Sequence, residues 1–337
     1  MSRALAPLRP LYAAAAGAKN FAWNHGWLAQ KHLQGPVISV GNLSVGGSGK
    51  TPLTIRLAQL LCERGIGVDV LSRGYGRRSG AVEKVDPDGS AEEFGDEPLL
   101  IAQSAEVPVF VGASRYQAGV LAESSSAGPA LHLLDDGFQH RGLARDVDIV
   151  ALHCDDFRDK LLPAGRLREG FPSLSRAQFV AMRQEDRDLE PELRRRGFAG
   201  PVWWMERRLA LPAANRVIAF CAIARVGEFF SGLRSCGITV AAMRAWRDHH
   251  AYTDRDIAEL IELRRQHEAE AFFTTEKDMT RLNPYLRRML ESTAPLHAAR
   301  LVVRLDDESG AIDRLLALLP ALGHPQARQA VANAVRK

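Results

Sequence analysis

Short apolar runs rich in β-branched residues recur along the chain, and longer amphipathic segments separate them. Runs this short are typical of strands buried in a parallel sheet. The predicted strands are Pro36–Val40, Gly67–Leu71, Ala130–Leu134, Gln178–Met182, Val202–Met205, Arg216–Phe220 and a strand from Phe272. A helical pattern runs from Pro52 to Arg64. This alternation predicts an α/β fold.

The pattern changes over about residues 178 to 222, where predicted strands flank the highly charged stretch 183–200. Such a stretch is expected to lie in solvent, and domain boundaries fall in exposed polar segments. We therefore predict two domains, residues 1–207 and residues 208–337, the second being a smaller α/β domain that ends in a basic tail.

Residues 8–33 combine aromatic and basic side chains and predict one or two helices. Trp23 and Trp27 are four residues apart, so a helix would place them on one face. Six lysines and arginines, but no acidic residue, precede Glu63. Such a segment suits a membrane interface. The tryptophans could equally pack on the protein's own core, since amphipathicity does not separate the two cases.

A glycine-rich loop, Gly41–Thr51, lies between the first predicted strand and the first predicted helix, as a phosphate-binding loop does. Glycines let backbone N–H groups approach a phosphate, and a helix N-terminus adds a positive dipole end. Lys50 can reach the β- and γ-phosphates of ATP, and the Thr51 hydroxyl can bind Mg²⁺. The predicted nucleotide-binding residues are Gly46, Gly47, Ser48, Gly49, Lys50 and Thr51.

The loop departs from the usual spacing, because Ser44 stands where glycine is expected and two further glycines follow it. A glycine-rich turn with an incidental Lys-Thr pair is the alternative, which the flanking strand and helix disfavour. The predicted fold class is therefore a P-loop NTPase-like parallel sheet domain with a second, smaller α/β domain.

Two acidic motifs accompany the loop. Asp135 and Asp136 end a predicted strand, where open α/β sheets bind ligands and where a carboxylate can hold Mg²⁺. Neighbouring strand residues point to opposite faces, so the two need not share a role. Asp96 and Glu97 precede Pro98, which predicts extended backbone before a helix. These two could cap that helix, or one could accept the proton of a substrate hydroxyl group.

Two further motifs mark the second half. His249 and His250 lie in the motif Asp248–Thr253, just before a predicted helix. Adjacent histidines rarely bind one metal ion without more ligands, so the pair by itself favours a surface turn. The other motif is a predicted strand that ends in a charged turn, Glu276–Asp278.

Composition and cysteine content indicate the class of protein and the compartment in which it works. Apolar residues make up 46% and charged residues 25%, as in a soluble globular protein, and the net charge is +4. Four cysteines without a CxxC pair fit neither a zinc site nor a disulfide framework, which indicates a reducing compartment. The apolar stretch Leu11–Ala18 is too short for a transmembrane helix.

Read in order, the motifs GNLSVGGSGKTP, SRGYG, GDEP, LLDDGFQH, DHHAYT and TTEKD resemble the tetraacyldisaccharide 4'-kinase family of lipid A biosynthesis over about residues 8 to 320. Each motif is modest, but their order and spacing are specific, and the family's loop carries the same departure at Ser44. Ala222 and Val226 differ from the family pattern, which has glycine and proline there.

The resemblance implies that ATP, with Mg²⁺, phosphorylates the 4'-hydroxyl group of a lipid-linked disaccharide, tetraacyldisaccharide 1-phosphate, giving lipid IVA. It implies two α/β domains with the active site between them. It also implies a peripheral protein at the cytoplasmic face of the inner membrane, with the leading helix on the membrane surface. We further expect a monomer and no nucleic-acid partner.

The resemblance also implies residue roles. Asp96 matches the proposed base, and His249, rather than His250, matches the histidine that assists it. Lys50 matches the phosphate-binding lysine. The matching magnesium ligands are Thr51, Asp135, Asp136 and, in second rank, Glu97. Lys277 and Asp278 match a motif whose role is open, with nucleotide contact as the hypothesis.

A membrane-associated, partner-binding P-loop ATPase is the alternative function. Such proteins carry a lysine where Val45 stands, and they leave the motifs of the second half unexplained. A nucleic-acid ATPase is a weaker alternative, since no recognised nucleic-acid motif is present.

Overall fold

One continuous sheet of twelve strands organises the part of the chain that this computed structural model describes, residues 7, 9–125 and 131–319. The strands are β1 (Val37–Asn42), β2 (Val68–Ser72), β3 (Glu83–Lys84), β4 (Val109–Val111), β5 (Leu131–Asp135), β6 (Val147–Ala151), β7 (Phe179–Arg183), β8 (Val202–Ala210), β9 (Arg216–Cys221), β10 (Thr239–Ala245), β11 (Ala271–Thr275) and β12 (Leu296–Leu305). Their order across the sheet is β10-β9-β11-β12-β8-β7-β6-β1-β5-β2-β4-β3.

Eleven α-helices of the described residues connect and cover these strands. They are α1 (Arg9–Asn24), α2 (Lys50–Glu63), α3 (Ala91–Phe94), α4 (Asp96–Ala105), α5 (Arg115–Ser125), α6 (Glu190–Arg195), α7 (Val226–Ser235), α8 (Asp254–Gln266), α9 (Glu276–Arg281), α10 (Pro284–Glu291) and α11 (Glu308–Ala317).

The mostly parallel α/β architecture confirms the fold class predicted from the apolar runs. Strand β1 lies between β5 and β6 and pairs in parallel with both, and every residue of β1 and β5 is buried. The carboxyl ends of parallel neighbours meet at one edge of a sheet. The glycine-rich loop after β1 and the acidic pair after β5 therefore lie together. Of the predicted strands, only Ala130 lies outside the described residues.

The two halves of the chain share this sheet. The predicted boundary at residue 207 lies within β8, which pairs antiparallel with β12. Helix α11 then packs its apolar face into the core formed around β1, β5 and α2. Separate apolar clusters cover the two faces of β9 and β11. The division into two domains stays a prediction, with β8 and β12 as the strands that join them.

The leading segment forms one helix, and the prediction that it continues through Trp27 is wrong. Helix α1 ends at Asn24, because Gly26 adopts a left-handed conformation with φ of 71°. The N–H groups of Gly26 and Trp27 donate to the carbonyls of Trp23 and Ala22, the pattern of a glycine-terminated helix. Trp23 and Trp27 therefore do not share a helical face.

Two smaller predictions are also wrong. The backbone before Pro98 is not extended, because α4 begins at Asp96 and places the proline in its first turn, where a missing N–H leaves no bond unmade. The charged segment after β11 is not a turn but the start of α9. Thr275 caps that helix by accepting a hydrogen bond of 3.1 Å from the N–H of Asp278.

Candidate active site

The glycine-rich loop runs from the end of β1 into α2. Gly46, Gly47 and Gly49 have φ values of 76°, 72° and 88°, a left-handed conformation that strongly favours glycine. Helix α2 begins at Lys50, so its first N–H groups have no partner within the helix and face the loop. The Asn42 amide donates to the Ser48 hydroxyl over 2.7 Å, which fixes the middle of the loop. This arrangement suits a bound phosphate.

Asp135, at the end of β5, presents a buried carboxylate oxygen to this loop. The residue is 1% exposed, and its Oδ2 has no hydrogen-bond partner among the described residues. Burial, with the nearby charges of Glu97 and Asp136, raises the pKa of Asp135 to about 7. A buried, unpartnered carboxylate oxygen beside other carboxylates could hold a cation.

Asp136 has different partners from its neighbour. Its backbone has turned left-handed, with φ of 51°, beyond the end of the strand. Arg168 donates to both carboxylate oxygens over 3.0 and 2.8 Å, and Lys50 Nζ lies 3.9 Å away. Burial opposes ionisation, but the charges of Lys50 and Arg168 hold the pKa of Asp136 well below its ordinary value. The two adjacent carboxylates thus occupy different environments.

His249, from the second half of the chain, contacts Asp96 in the first half. Nδ1 of His249 lies 3.1 Å from Oδ2 of Asp96, which begins α4 and is 5% exposed. The hydrogen bond to Asp96 raises the pKa of His249 above its ordinary value. His250 turns away, because its Nε2 lies 3.0 Å from Asp256 and its ring stacks on Trp246. The structure thus brings His249, and not His250, to the acidic residue.

Helix α9 supplies cations to both acidic residues of the GDEP motif. Arg281 donates from Nε to Asp96 over 3.0 Å, and Lys277 Nζ contacts a carboxylate oxygen of Glu97. The two cations are four residues apart and therefore lie on one face of α9. Burial opposes ionisation of Glu97, but the charges of Lys277 and Lys50 keep its pKa lowered.

Asp278, the next residue of the TTEKD motif, is a buried hydrogen-bond acceptor. It is 0% exposed and accepts from the Ala222 N–H over 3.0 Å and from the Tyr252 hydroxyl over 2.9 Å. The same carboxylate accepts from Arg281 over 3.1 Å. Asp278 therefore holds α9 and the loop after β9 in place around Arg281.

Sequence reasoning missed several arginines that shape the site. Arg281 and Arg168 carry no motif of their own, and only the fold brings them to Asp96 and Asp136. Arg115 is 4% exposed, and its Nε has no hydrogen-bond partner among the described residues. Burial lowers the pKa of Arg115 to about 10. Arg115 lies at the start of α5, just after a strand of the parallel sheet, and this position in the sequence could have marked it as a candidate site residue.

Comparisons with known proteins identify the family of this chain. The LpxK family model, described as tetraacyldisaccharide-1-P 4'-kinase, matches residues 1–319. The tetraacyldisaccharide 4'-kinase of Koribacter versatilis is 45% identical over 328 residues, which cover 93% of this chain and 98% of that protein. The corresponding kinase of Nitrobacter winogradskyi is 36% identical over 325 residues, which cover 92% of this chain and 91% of that protein.

A solved structure is also similar. The crystal structure of LpxK from Aquifex aeolicus in complex with ATP superposes with a TM-score of 0.76 at 33% identity. The match covers 94% of this chain and 99% of that chain. The glycine-rich loop and the acidic residues around it thus occur in a chain that belongs to the tetraacyldisaccharide-1-P 4'-kinase family.

Proposed function

We propose that the cleft between the P-loop and helices α4 and α9 transfers the γ-phosphoryl group of ATP to the 4'-hydroxyl group of tetraacyldisaccharide 1-phosphate, giving lipid IVA. Family membership makes the chain a kinase of lipid A biosynthesis. The observation that carries the assignment of the site is the 3.1 Å contact between Asp96 and His249, because it joins two motifs from opposite halves of the chain beside the P-loop.

ATP binds with its phosphates against the loop from Gly46 to Thr51. The left-handed glycines and the start of α2 supply N–H donors, and Lys50 supplies the positive charge for the β- and γ-phosphates. Lys50 is 8% exposed, so its charge acts in a site largely shielded from water.

The residues present fit Mg²⁺. The unpartnered Oδ2 of Asp135, with Thr51 and Glu97, provides the hard oxygen ligands that this ion prefers. We assign Asp136 a lesser part, because Arg168 already occupies both of its oxygens. When bound, the ion would neutralise charge that develops on the transferred phosphoryl group.

Asp96 and His249 act together on the 4'-hydroxyl group that receives the phosphoryl group. We assign Asp96 as the group that accepts the hydroxyl proton, with His249 orienting and polarising it. Arg281 and Lys277 hold the two acidic residues of α4 in position from the other side of the cleft. The buried guanidinium of Arg115 suits an anionic oxygen of either substrate.

The substrate's acyl chains require contact with a lipid phase, and α1 with the turn after it suits that contact. Leu11, Phe21, Trp27 and Leu28 are 70%, 50%, 72% and 40% exposed. We propose that these residues lie on the cytoplasmic face of the inner membrane and that the enzyme is a peripheral monomer. Among the described residues no helix combines the length and apolarity needed to cross a bilayer.

The test is transfer of labelled γ-phosphate from ATP to purified tetraacyldisaccharide 1-phosphate in mixed micelles, with and without Mg²⁺. We expect labelled lipid only when Mg²⁺ is present. Hydrolysis of ATP without labelled lipid would instead support the partner-binding ATPase.

A further inference from the structure

Two arginines hold the outer side of the P-loop by its carbonyl groups. Arg225 donates from Nε to the carbonyl of Gly47 over 2.9 Å. Arg166 donates to the carbonyl of Val45 over 2.9 and 3.2 Å and reaches that of Gly46 at 3.4 Å. Three consecutive carbonyls of the loop thus face guanidinium groups.

The direction of these carbonyls fixes the direction of the neighbouring N–H groups. In a planar trans peptide the C=O and the following N–H point in opposite directions. With the carbonyls of Val45, Gly46 and Gly47 held against arginines, the N–H groups of Gly46, Gly47 and Ser48 are held pointing the other way. These are the donors that a phosphate-binding loop offers to its ligand.

Arg225 is itself fixed. It is the residue immediately before α7, and its side chain is 12% exposed. Its Nη1 donates to Asp155 over 2.6 Å. A Cβ atom on Gly47 would lie 2.5 Å from Arg225 Nε, so only glycine leaves room for this contact. The preceding residue, Ala224, packs against the same loop, because its Cβ lies 3.1 Å from the place that a Cβ atom on Gly46 would take.

A second contact anchors the same helix to the nucleotide-binding half. Glu228, in the first turn of α7, accepts from His153 Nε2 at 2.9 Å and from Arg183 and Arg207. His153 Nδ1 in turn accepts from the Asp155 N–H at 3.1 Å, which leaves Nε2 as the protonated nitrogen. Helix α7 is therefore docked with Arg225 aimed at the P-loop.

We infer that Arg225 is a positioning residue for ATP binding: it couples the docking of the second half of the chain to the orientation of the P-loop amides. The inference rests on the proposed function only in taking this loop as the ATP site. Arg225 acts through the Gly47 carbonyl rather than by touching the reacting atoms. Its loss would leave the amides free to reorient, and ATP would have to order them on binding.

The experiment compares Arg225→Ala, Arg225→Lys and a matched control, Arg234→Ala, in the full chain. Arg234 lies on the same helix and is exposed. We expect Arg225→Ala to raise the Kd and KM for ATP about tenfold, the usual size of one charge-assisted hydrogen bond, with kcat changed much less. Arg225→Lys should recover part of the loss, and Arg234→Ala should match the wild type.

ATP affinity is measured by calorimetry without the lipid acceptor, so the result does not depend on transfer activity. If the wild-type chain failed to phosphorylate the lipid, the proposed function would fail while this comparison stood. Unchanged ATP affinity in Arg225→Ala, or a loss in kcat alone, would overturn the inference. Should Arg225→Ala not fold, Asp155→Asn serves instead, because Asp155 is exposed and holds Arg225. We expect a smaller rise in Kd, and no rise would equally overturn the inference.

Discussion

Nε of Arg281 lies 3.0 Å from Oδ2 of Asp96, the oxygen that His249 also contacts. The side chains of Arg281 and Asp96 are 7% and 6% exposed, so this is a buried ion pair between α9 and α4. It joins the second half of the chain to the half that carries the P-loop. It also involves the Asp96 carboxylate, which we propose accepts the proton of the substrate hydroxyl group.

Arg281→Ala should therefore lower the free energy of unfolding as well as the kinase activity. Asp96 and Asp278 would lose a buried cationic partner, and breaking a buried ion pair from one side costs about 3–5 kcal/mol. Urea denaturation measures the free energy of unfolding, with the exposed Arg255→Ala as the control. A loss below about 1 kcal/mol would mean that the pair contributes little.

The adjacent histidines provide an internal control for the catalytic assignment. His249→Gln should lower kcat by a factor on the order of 10² to 10⁴, because it removes the partner of Asp96. His250→Gln should leave kcat within about threefold, since His250 contacts Asp256 and the ring of Trp246 instead. Steady-state kinetics of both variants decides the point. Equal losses in the two would refute the assignment.

The lowered pKa of Glu228 predicts how the free energy of unfolding depends on pH. Burial opposes its ionisation, but the hydrogen bond from His153 and the charges of Arg183 and Arg207 lower its pKa to about 2 from an ordinary value of 4.5. Because the folded-state pKa is the lower one, this stabilisation is present above about pH 4.5 and is lost as pH falls towards 2.

Glu228→Gln should therefore be less stable than the wild type at neutral pH, and the difference should shrink between about pH 4.5 and 2. The measurement is the free energy of unfolding across this range. Glu92→Gln is the control, because the Glu92 carboxylate pairs with Arg78 in solvent and its replacement should have little effect. A difference that stayed constant down to pH 2 would show that the Glu228 charge is not what stabilises this contact.

The exposed aromatic residues near α1 predict membrane contact. The rings of Phe21 and Trp27 meet at 5.4 Å in an edge-to-face arrangement and remain 50% and 72% exposed. Replacing both with serine should weaken binding to vesicles that contain anionic lipid by about tenfold or more, while ATP affinity stays unchanged. Sedimentation with vesicles measures this. Tyr285→Ser, which changes an equally exposed aromatic residue on α10, should bind like the wild type.

Local patterns in the sequence predicted seven of the twelve strands and the P-loop, whereas β3, β4, β6, β10 and β12 were not predicted. Parallel strands buried on both faces are mostly apolar, and the largely apolar, fully buried strands Val37–Asn42 and Leu131–Asp135 follow this rule. Left-handed backbone needs glycine, which marks the loop at Gly46, Gly47 and Gly49. Gly26 is the same kind of signal for the end of α1, and it ends the helix before Trp27, where the spacing of the aromatic residues alone predicts that the helix continues.

Only the tertiary structure decided which charged side chains meet. Arg281 is 185 residues from Asp96, and Arg225 is 178 from Gly47, and no local pattern encodes contacts over such separations. The choice between His249 and His250 is of the same kind, because adjacent residues share one sequence signal and differ in the direction their side chains take. Sequence fixes backbone conformation through short-range sterics, whereas an ion pair depends on where the sheet places two distant elements.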